Sequence, residues 1–121
     1  MKPLRILVIE DEQGIREVVK TALEPTYDVI QASHGEEGLH QANLFKPSLI
    51  LLDIRMPGMD GLAVLAKLKA HEATRRIPVI IISVEGDAEW LLESQRAGAA
   101  DHLIKPFQIE QLRRVIRRHL L

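Results

Sequence analysis

Four apolar runs of this sequence each stop at polar residues that could take part in chemistry. Glu10 and Asp11 follow residues 4–9, Asp53 follows residues 49–52, Ser83 follows residues 79–82, and Lys105 follows residues 102–104. A carboxylate at the end of a buried strand is costly unless a charged partner meets it there. If the four runs are parallel strands, all these side chains converge on one edge of a sheet. This set is the candidate functional site.

The chemistry that this set could perform is phosphoryl transfer. At an effective dielectric constant of about 20, two like charges about 4 Å apart repel by roughly 4 kcal/mol. Lys105 offsets only one carboxylate, so a divalent cation is favoured, and oxygen ligands beside a phosphate suit Mg²⁺. An aspartate can accept a phosphoryl group whose oxygens meet the cation, Lys105 and the Ser83 hydroxyl. We therefore predict Asp53 as the acceptor, with Glu10 and Asp11 holding the metal.

Each of these residues also has a purely structural interpretation. Taken alone, Asp11 is most often a helix cap or a loop residue, Ser83 a turn residue, and Lys105 a charged loop residue. Two other functions stay open: a phosphatase or mutase of the aspartyl-phosphate type, and a module that only binds a cation. Such phosphatases and mutases typically carry a second Asp two residues after the nucleophile. This chain has Arg55 there, which cannot transfer protons at neutral pH.

The elements that must position these residues alternate along the chain. Apolar runs predict strands at 4–9, 27–32, 48–52, 79–82 and 101–104. Helical spacing of apolar residues predicts helices at 13–23, up to 45 from a cap at Ser33, 61–70, 87–97 and 108–120. This alternation predicts an α/β fold, a doubly wound five-stranded parallel sheet of flavodoxin-like order 2-1-3-4-5. In that order the ends of strands 1 and 3 are neighbours.

Residue types at the helix ends predict how individual helices begin and end. Ser33 and Glu36 have the spacing of a capping box for the second helix. Asp11 or Glu12 is placed to cap the first helix. Gly98 is expected to end the fourth helix.

The fourth helix has more apolar residues than one face can bury. Packing its face of Ala88, Leu92 and Gln95 inward would leave Trp90 or Leu91 toward solvent. Exposed large apolar residues suggest a contact site, although Trp90 could also lie flat over its own helix.

Composition bounds the class of protein. The chain has 121 residues, 46% hydrophobic, 27% charged and only 3% aromatic, with a net charge of −1 and no cysteine. These values predict one domain spanning residues 1–121 with an aliphatic core, soluble and cytoplasmic, with no membrane association. Arginines concentrate in the last helix, at Arg113, Arg114, Arg117 and Arg118. We interpret them as a solvated face rather than a nucleic-acid contact.

Beyond these patterns, the whole chain resembles the response-regulator receiver domain of two-component signalling. The resemblance is carried by Ile9-Glu10-Asp11-Glu12, Leu51-Leu52-Asp53-Ile54-Arg55-Met56-Pro57-Gly58-Met59-Asp60-Gly61, Ile82-Ser83, Ala97-Gly98-Ala99-Ala100-Asp101 and Lys105-Pro106-Phe107. The spacing of Ser83 and Lys105 after Asp53 also fits the family pattern.

The resemblance implies roles for individual residues. Asp53 would be the phosphoacceptor, Glu10 and Asp11 the acidic pair that binds Mg²⁺, and the Arg55 backbone carbonyl a further ligand. Ser83 would be the switch hydroxyl and Lys105 the lysine that pairs with the phosphoryl group. The Lys105–Pro106 bond would be cis.

The resemblance also implies partners. The phosphoryl group would come from a histidine on a histidine kinase or a phosphotransfer protein. The domain would not be an enzyme acting on other molecules, since it catalyses only its own phosphorylation and dephosphorylation. The readout would be a downstream protein target or an output domain outside this segment, with homodimerisation through the helix 4, strand 5 and helix 5 face as a further prospect. Direct binding of nucleic acid by this segment is not expected.

Two positions depart from the usual family pattern. His102 stands where an aromatic switch residue is common, and it is either a working switch or a surface residue. Arg55 and Glu85 occupy positions that tune the lifetime of the phosphoryl group. They are expected to pair across the mouth of the site and hinder attacking water.

Overall fold

The computed structural model describes residues 3–84 and 86–120, in which five strands alternate with five helices. The strands are β1 (Arg5–Ile9), β2 (Asp28–Ala32), β3 (Leu49–Asp53), β4 (Val79–Val84) and β5 (Asp101–Lys105). The helices are α1 (Gln13–Leu23), α2 (Gly35–Phe45), α3 (Gly61–Ala70), α4 (Ala88–Arg96) and α5 (Ile109–His119). All strands pair in parallel in the order β2-β1-β3-β4-β5. The predicted doubly wound α/β fold is confirmed.

The central strands supply two apolar layers because alternate side chains point to opposite faces of the sheet. Ile6 and Val8 of β1 lie in the layer covered by α1 and α5. Leu7 and Ile9 lie in the layer covered by α2, α3 and α4. The four apolar residues of β3 are fully buried, which explains its unbroken aliphatic run. None of the helices within the described ranges is long and apolar enough to cross a bilayer.

The predicted capping box at Ser33 and Glu36 is wrong by one residue. The N-cap of α2 is His34, whose Nδ1 accepts a hydrogen bond from the Glu37 N–H at 3.3 Å. The Glu37 carboxylate in turn accepts the Ser33 N–H at 2.6 Å. An imidazole nitrogen thus takes the place of the expected hydroxyl. At the C-terminal end of α4, Gly98 follows the helix with a φ of +104°. This left-handed conformation favours glycine, so the prediction that Gly98 ends the fourth helix is confirmed.

The face of α4 that packs inward is the reverse of the prediction. Trp90 and Leu91 are half-buried against the core, and Ser94 is buried. The predicted inward residues are exposed, namely Ala88, Leu92 and Gln95. The reason lies at the start of the helix, where Asp87 is 2% exposed. Its burial sets an inward row at helical spacing that continues through Trp90, Leu91 and Ser94.

Gly61 begins α3 directly against the end of β3, so it controls how closely this helix approaches Asp53. A Cβ at this position would lie 2.4 Å from the Ile54 Cα and 2.5 Å from the Asp53 carbonyl oxygen. Gly61→Ala should therefore lower the free energy of unfolding by about 1–3 kcal/mol, measured by urea denaturation.

Gly14 provides the matched control because a Cβ there would meet nothing within 4 Å. Gly14→Ala, within α1, should leave stability unchanged or raise it by up to about 1 kcal/mol. Equal stabilities of the two alanine variants would contradict this account of Gly61.

Candidate functional site

The carboxyl ends of four strands bring the predicted site residues to one edge of the sheet. Glu10 follows the last residue of β1, and Asp53 is the last residue of β3. Asp53 pairs in register with Ile82, the residue before Ser83 on the neighbouring strand β4. Lys105 ends β5, beside Val84 of β4. Parallel pairing therefore carries residues from distant parts of the sequence to one place.

Three carboxylates form an acidic cluster at this edge. One oxygen from each of Glu10, Asp11 and Asp53 can be chosen so that all lie within 4.8 Å of one another. Glu10 is fully buried and Asp53 is 4% exposed, whereas Asp11 faces solvent. These oxygens are close enough to share one cation.

The ammonium group of Lys105 lies within the cluster. Its Nζ is 2.7 Å from Glu10 Oε1 and 3.5 Å from Asp53 Oδ2. The Glu12 carboxylate is 3.8 Å away. Glu12 occupies the N-cap position of α1, which we predicted for Asp11 or Glu12, but its side chain makes no capping hydrogen bond. The carboxylates of both residues lie instead with the charged groups of the site.

The crowding changes the proton affinity of the buried groups. Burial raises the pKa of Glu10 to about 8, and its hydrogen bond with Asp53 adds to the rise against the opposing effect of Lys105. For Lys105, burial alone would lower the pKa. The hydrogen bond with Glu10 and the charges of Asp53, Glu10 and Glu12 outweigh it, so the pKa of Lys105 is raised and the ammonium form is favoured.

The Ser83 hydroxyl and the Asp53 carboxylate differ in their hydrogen-bond partners. Ser83 is 1% exposed, and its Oγ has no hydrogen-bond partner among the described residues. Asp53 Oδ1 accepts a hydrogen bond of 3.1 Å from the backbone N–H of Arg55. The buried Ser83 hydroxyl therefore has a hydrogen-bond donor that is not used by the described residues.

Arg16 holds the loop that carries the acidic pair. Its Nη1 donates to the Glu10 backbone carbonyl at 2.7 Å, and its Nε donates to Gln31 Oε1 at 3.3 Å. This contact was not predicted, because a single Arg one turn into a helix gives no signal of what it reaches.

The mouth of the site is crossed by an ion pair that we did not predict. The Arg55 guanidinium pairs with the buried carboxylate of Asp87. Glu85, the predicted partner of Arg55, lies outside the described residues. An aspartate just before a helix would ordinarily be taken for a cap, so its type alone gave no sign of this pair.

Two further predictions concern the Lys105–Pro106 bond and His102, both on strand β5 or at its end. The Lys105–Pro106 peptide bond is cis, as predicted. His102 is exposed on the strand, and its backbone N–H donates to Asp101 Oδ1 at 2.9 Å. Its exposure is that of a surface residue, while its role as a switch stays a prediction.

The geometry of this site agrees with a comparison of the sequence with known families. The family model described as the response regulator receiver domain matches residues 6–117. The chain belongs to this family. Receiver domains are signalling switches of two-component phosphorelays, so an acidic cluster with a lysine at the strand ends is the expected site in this receiver domain.

Individual relatives extend the comparison. Sporulation initiation phosphotransferase F of Bacillus subtilis (strain 168) is 33% identical over 117 residues, which cover 96% of this chain and 93% of that protein. Regulatory protein AtoC of Escherichia coli (strain K12) is 36% identical over 117 residues, which cover only 25% of that protein. The receiver domain spans about half the length or less of several curated relatives that it matches.

A solved structure shows the same architecture. The receiver domain of sensor histidine kinase PA1611 from Pseudomonas aeruginosa PAO1 was solved with a magnesium ion coordinated in its active site cleft. It is 30% identical to this chain, with a TM-score of 0.87 and 97% of each chain covered.

Proposed function

We propose that this receiver domain accepts a phosphoryl group on Asp53 from a phosphohistidine of a histidine kinase or phosphotransfer protein, in a magnesium-dependent reaction. The observation that carries the proposal is the position of the Asp53 carboxylate, at the end of a buried strand with an ammonium group 3.5 Å away and further acids beside it. A carboxylate so placed is nearly buried, and its charge is already opposed.

In the proposed reaction, an Asp53 oxygen forms a bond to phosphorus as the bond from phosphorus to the histidine nitrogen breaks. The electron pair of that bond stays on the imidazole, and the product is a mixed anhydride of Asp53. Lys105 would oppose negative charge on the transferred oxygens, and its raised pKa keeps it protonated for this task. The free hydroxyl of Ser83 would then donate to a phosphoryl oxygen.

The donor set fits a magnesium ion. Glu10, Asp11 and Asp53 offer oxygen atoms alone, the ligands that Mg²⁺ prefers, and the single Lys105 leaves negative charge in the cluster. The Arg55 backbone carbonyl is a further candidate ligand, and the related PA1611 receiver domain holds magnesium in its cleft. When bound, Mg²⁺ would neutralise charge on the phosphoryl oxygens.

The elements next to Ser83 would carry the signal from the phosphorylation site to a target. We propose that phosphorylation changes the surface formed by α4, β5 and α5 and so controls a protein target, an output domain or a second copy of the domain, in the cytoplasm. Leu92 of α4 is 48% exposed and Ile104 of β5 is 42% exposed, which supplies apolar area for such contacts. Several relatives are named as transcriptional regulators and extend well beyond this segment.

The deciding experiment is incubation with acetyl phosphate and Mg²⁺, followed by intact mass measurement. The wild-type protein should gain the mass of one phosphoryl group, and Asp53→Asn should gain none because an amide cannot act as the acceptor. Adding EDTA should suppress the gain in the wild type.

Asp28→Asn is the matched control, since Asp28 is a partly exposed aspartate in an ion pair with Arg5 on another strand. It should be labelled like the wild type. Equal labelling of Asp53→Asn would sink the proposal. Magnesium binding without any labelling would indicate a cation-binding module, and multiple turnovers of a phosphomonoester would indicate a phosphatase.

A further inference from the structure

Three side chains meet across the mouth of the site and join the loop after β3 to the start of α4. The Arg55 guanidinium pairs with the Asp87 carboxylate, and its central carbon lies 5.3 Å from the centroid of the Trp90 ring. We call Arg55, Asp87 and Trp90 the clasp. A guanidinium at this distance over an indole is attracted to the ring face as well as to the carboxylate.

Asp87 is hydrogen-bonded to the end of β4, the strand that carries the Ser83 hydroxyl. Its Oδ2 accepts the Val84 N–H at 3.1 Å, and its own N–H donates to the Val84 carbonyl at 3.3 Å. Val84 directly follows Ser83. The Asp87 side chain is 1% exposed, so its charge is removed from water and depends on the cation that faces it.

Arg55 also reaches the acceptor residue through its backbone. Its N–H donates to Asp53 Oδ1, while its side chain is 58% exposed and can change direction. A phosphoryl group on Asp53 would carry about −1.5 to −2 charges in place of the single charge of the carboxylate, and would place them on three outer oxygens. Phosphate oxygens match the planar donors of a guanidinium closely. Two anions would then compete for one cation.

We propose that Arg55 exchanges Asp87 for the phosphoryl group when Asp53 is phosphorylated. The exchange leaves Asp87 as a buried carboxylate without a facing cation and removes the guanidinium from the Trp90 ring. The end of β4 and the first turn of α4 then lose two restraints together. Asp87 is a positioning residue in this scheme, and the inference rests on the proposed phosphorylation of Asp53.

Trp90 is the single tryptophan of the chain, so its fluorescence reports on the clasp directly. Without phosphorylation, Arg55→Ala and Asp87→Asn should each increase quenching of Trp90 by acrylamide and shift its emission to the red. Arg5→Ala is the matched control. Arg5 likewise pairs with an aspartate and lies 5.2 Å from an aromatic centroid, that of Phe45, but on another part of the surface. It should leave Trp90 unchanged.

Phosphorylation of the wild-type protein tests the exchange itself. Wild-type protein labelled with acetyl phosphate and Mg²⁺ should show increased acrylamide quenching, and Arg55→Ala should show no further increase on labelling. Labelled wild-type protein with unchanged quenching would overturn the exchange alone. Failure of the wild type to take up a phosphoryl group would overturn the proposed function and the exchange with it.

Discussion

Lys105→Ala is expected to slow phosphorylation of Asp53 by acetyl phosphate about 10²- to 10³-fold, the usual cost of removing one preorganised donor to developing charge. The Nζ of Lys105 is the only described ammonium group within 4.0 Å of both Glu10 and Asp53. Without it, the negative charge on the transferred oxygens would lose one of the cations that oppose it. The rate is measured by intact mass against time at saturating Mg²⁺.

Lys67→Ala supplies the control because Lys67 is an exposed lysine of α3 that makes no ion pair within the described residues. It should phosphorylate at the wild-type rate. A Lys105→Ala rate within a fewfold of the wild type would show that Lys105 does not stabilise the transferring group. Unfolding curves of both variants are needed beside the rates, since the loss of Lys105 also removes the cation that faces Glu10.

The stability of the metal-free domain is expected to fall as the pH rises from about 5 to 8. The pKa of Glu10 is raised from 4.5 to about 8 in the folded protein. Between these values the folded carboxyl keeps a proton that the unfolded chain has released. Unfolding then releases a proton and is favoured at higher pH, by at most about 1.4 kcal/mol per pH unit from this one group.

Urea denaturation in EDTA at a series of pH values measures this effect, and Glu10→Gln isolates it. The amide does not titrate, so the variant should lose the part of the pH dependence that lies between pH 5 and 8. Glu17→Gln, at an exposed position of α1, should keep it. Mg²⁺ at pH 8 should restore stability to the wild type by taking the place of the proton. Identical pH profiles for the wild type and Glu10→Gln would contradict the raised pKa.

Asp101 also makes the stability depend on pH, but in the opposite direction and at more acidic pH. Burial alone would raise its pKa, but hydrogen bonds from His119, the His102 backbone and Arg118 together lower it below 3.8. Its stabilisation is therefore present above that value and is lost only as the medium becomes strongly acidic. The two effects can be separated because their pH windows do not overlap.

The sheet and the strand-end residues were predictable because both follow from regular patterns. Unbroken aliphatic runs indicated strands buried on both faces, and the strand order then placed Glu10 beside Asp53. The inward face of α4 was predicted wrongly since it depends on Asp87, whose burial rests on a cation 32 positions earlier in the chain. Contacts over such separations leave no periodic signal. The imidazole cap at His34 was missed for a different reason, because capping rules favour hydroxyl and carboxylate oxygens.

The Ser83 hydroxyl has no hydrogen-bond partner among the described residues, which has a thermodynamic consequence for the proposed phosphorylation. A buried polar group without its hydrogen bond costs about 1–3 kcal/mol. A difference of this size changes an equilibrium constant about 5- to 150-fold. In the proposed phosphorylated domain a phosphoryl oxygen would supply the missing acceptor, so phosphorylation would recover up to this amount of free energy.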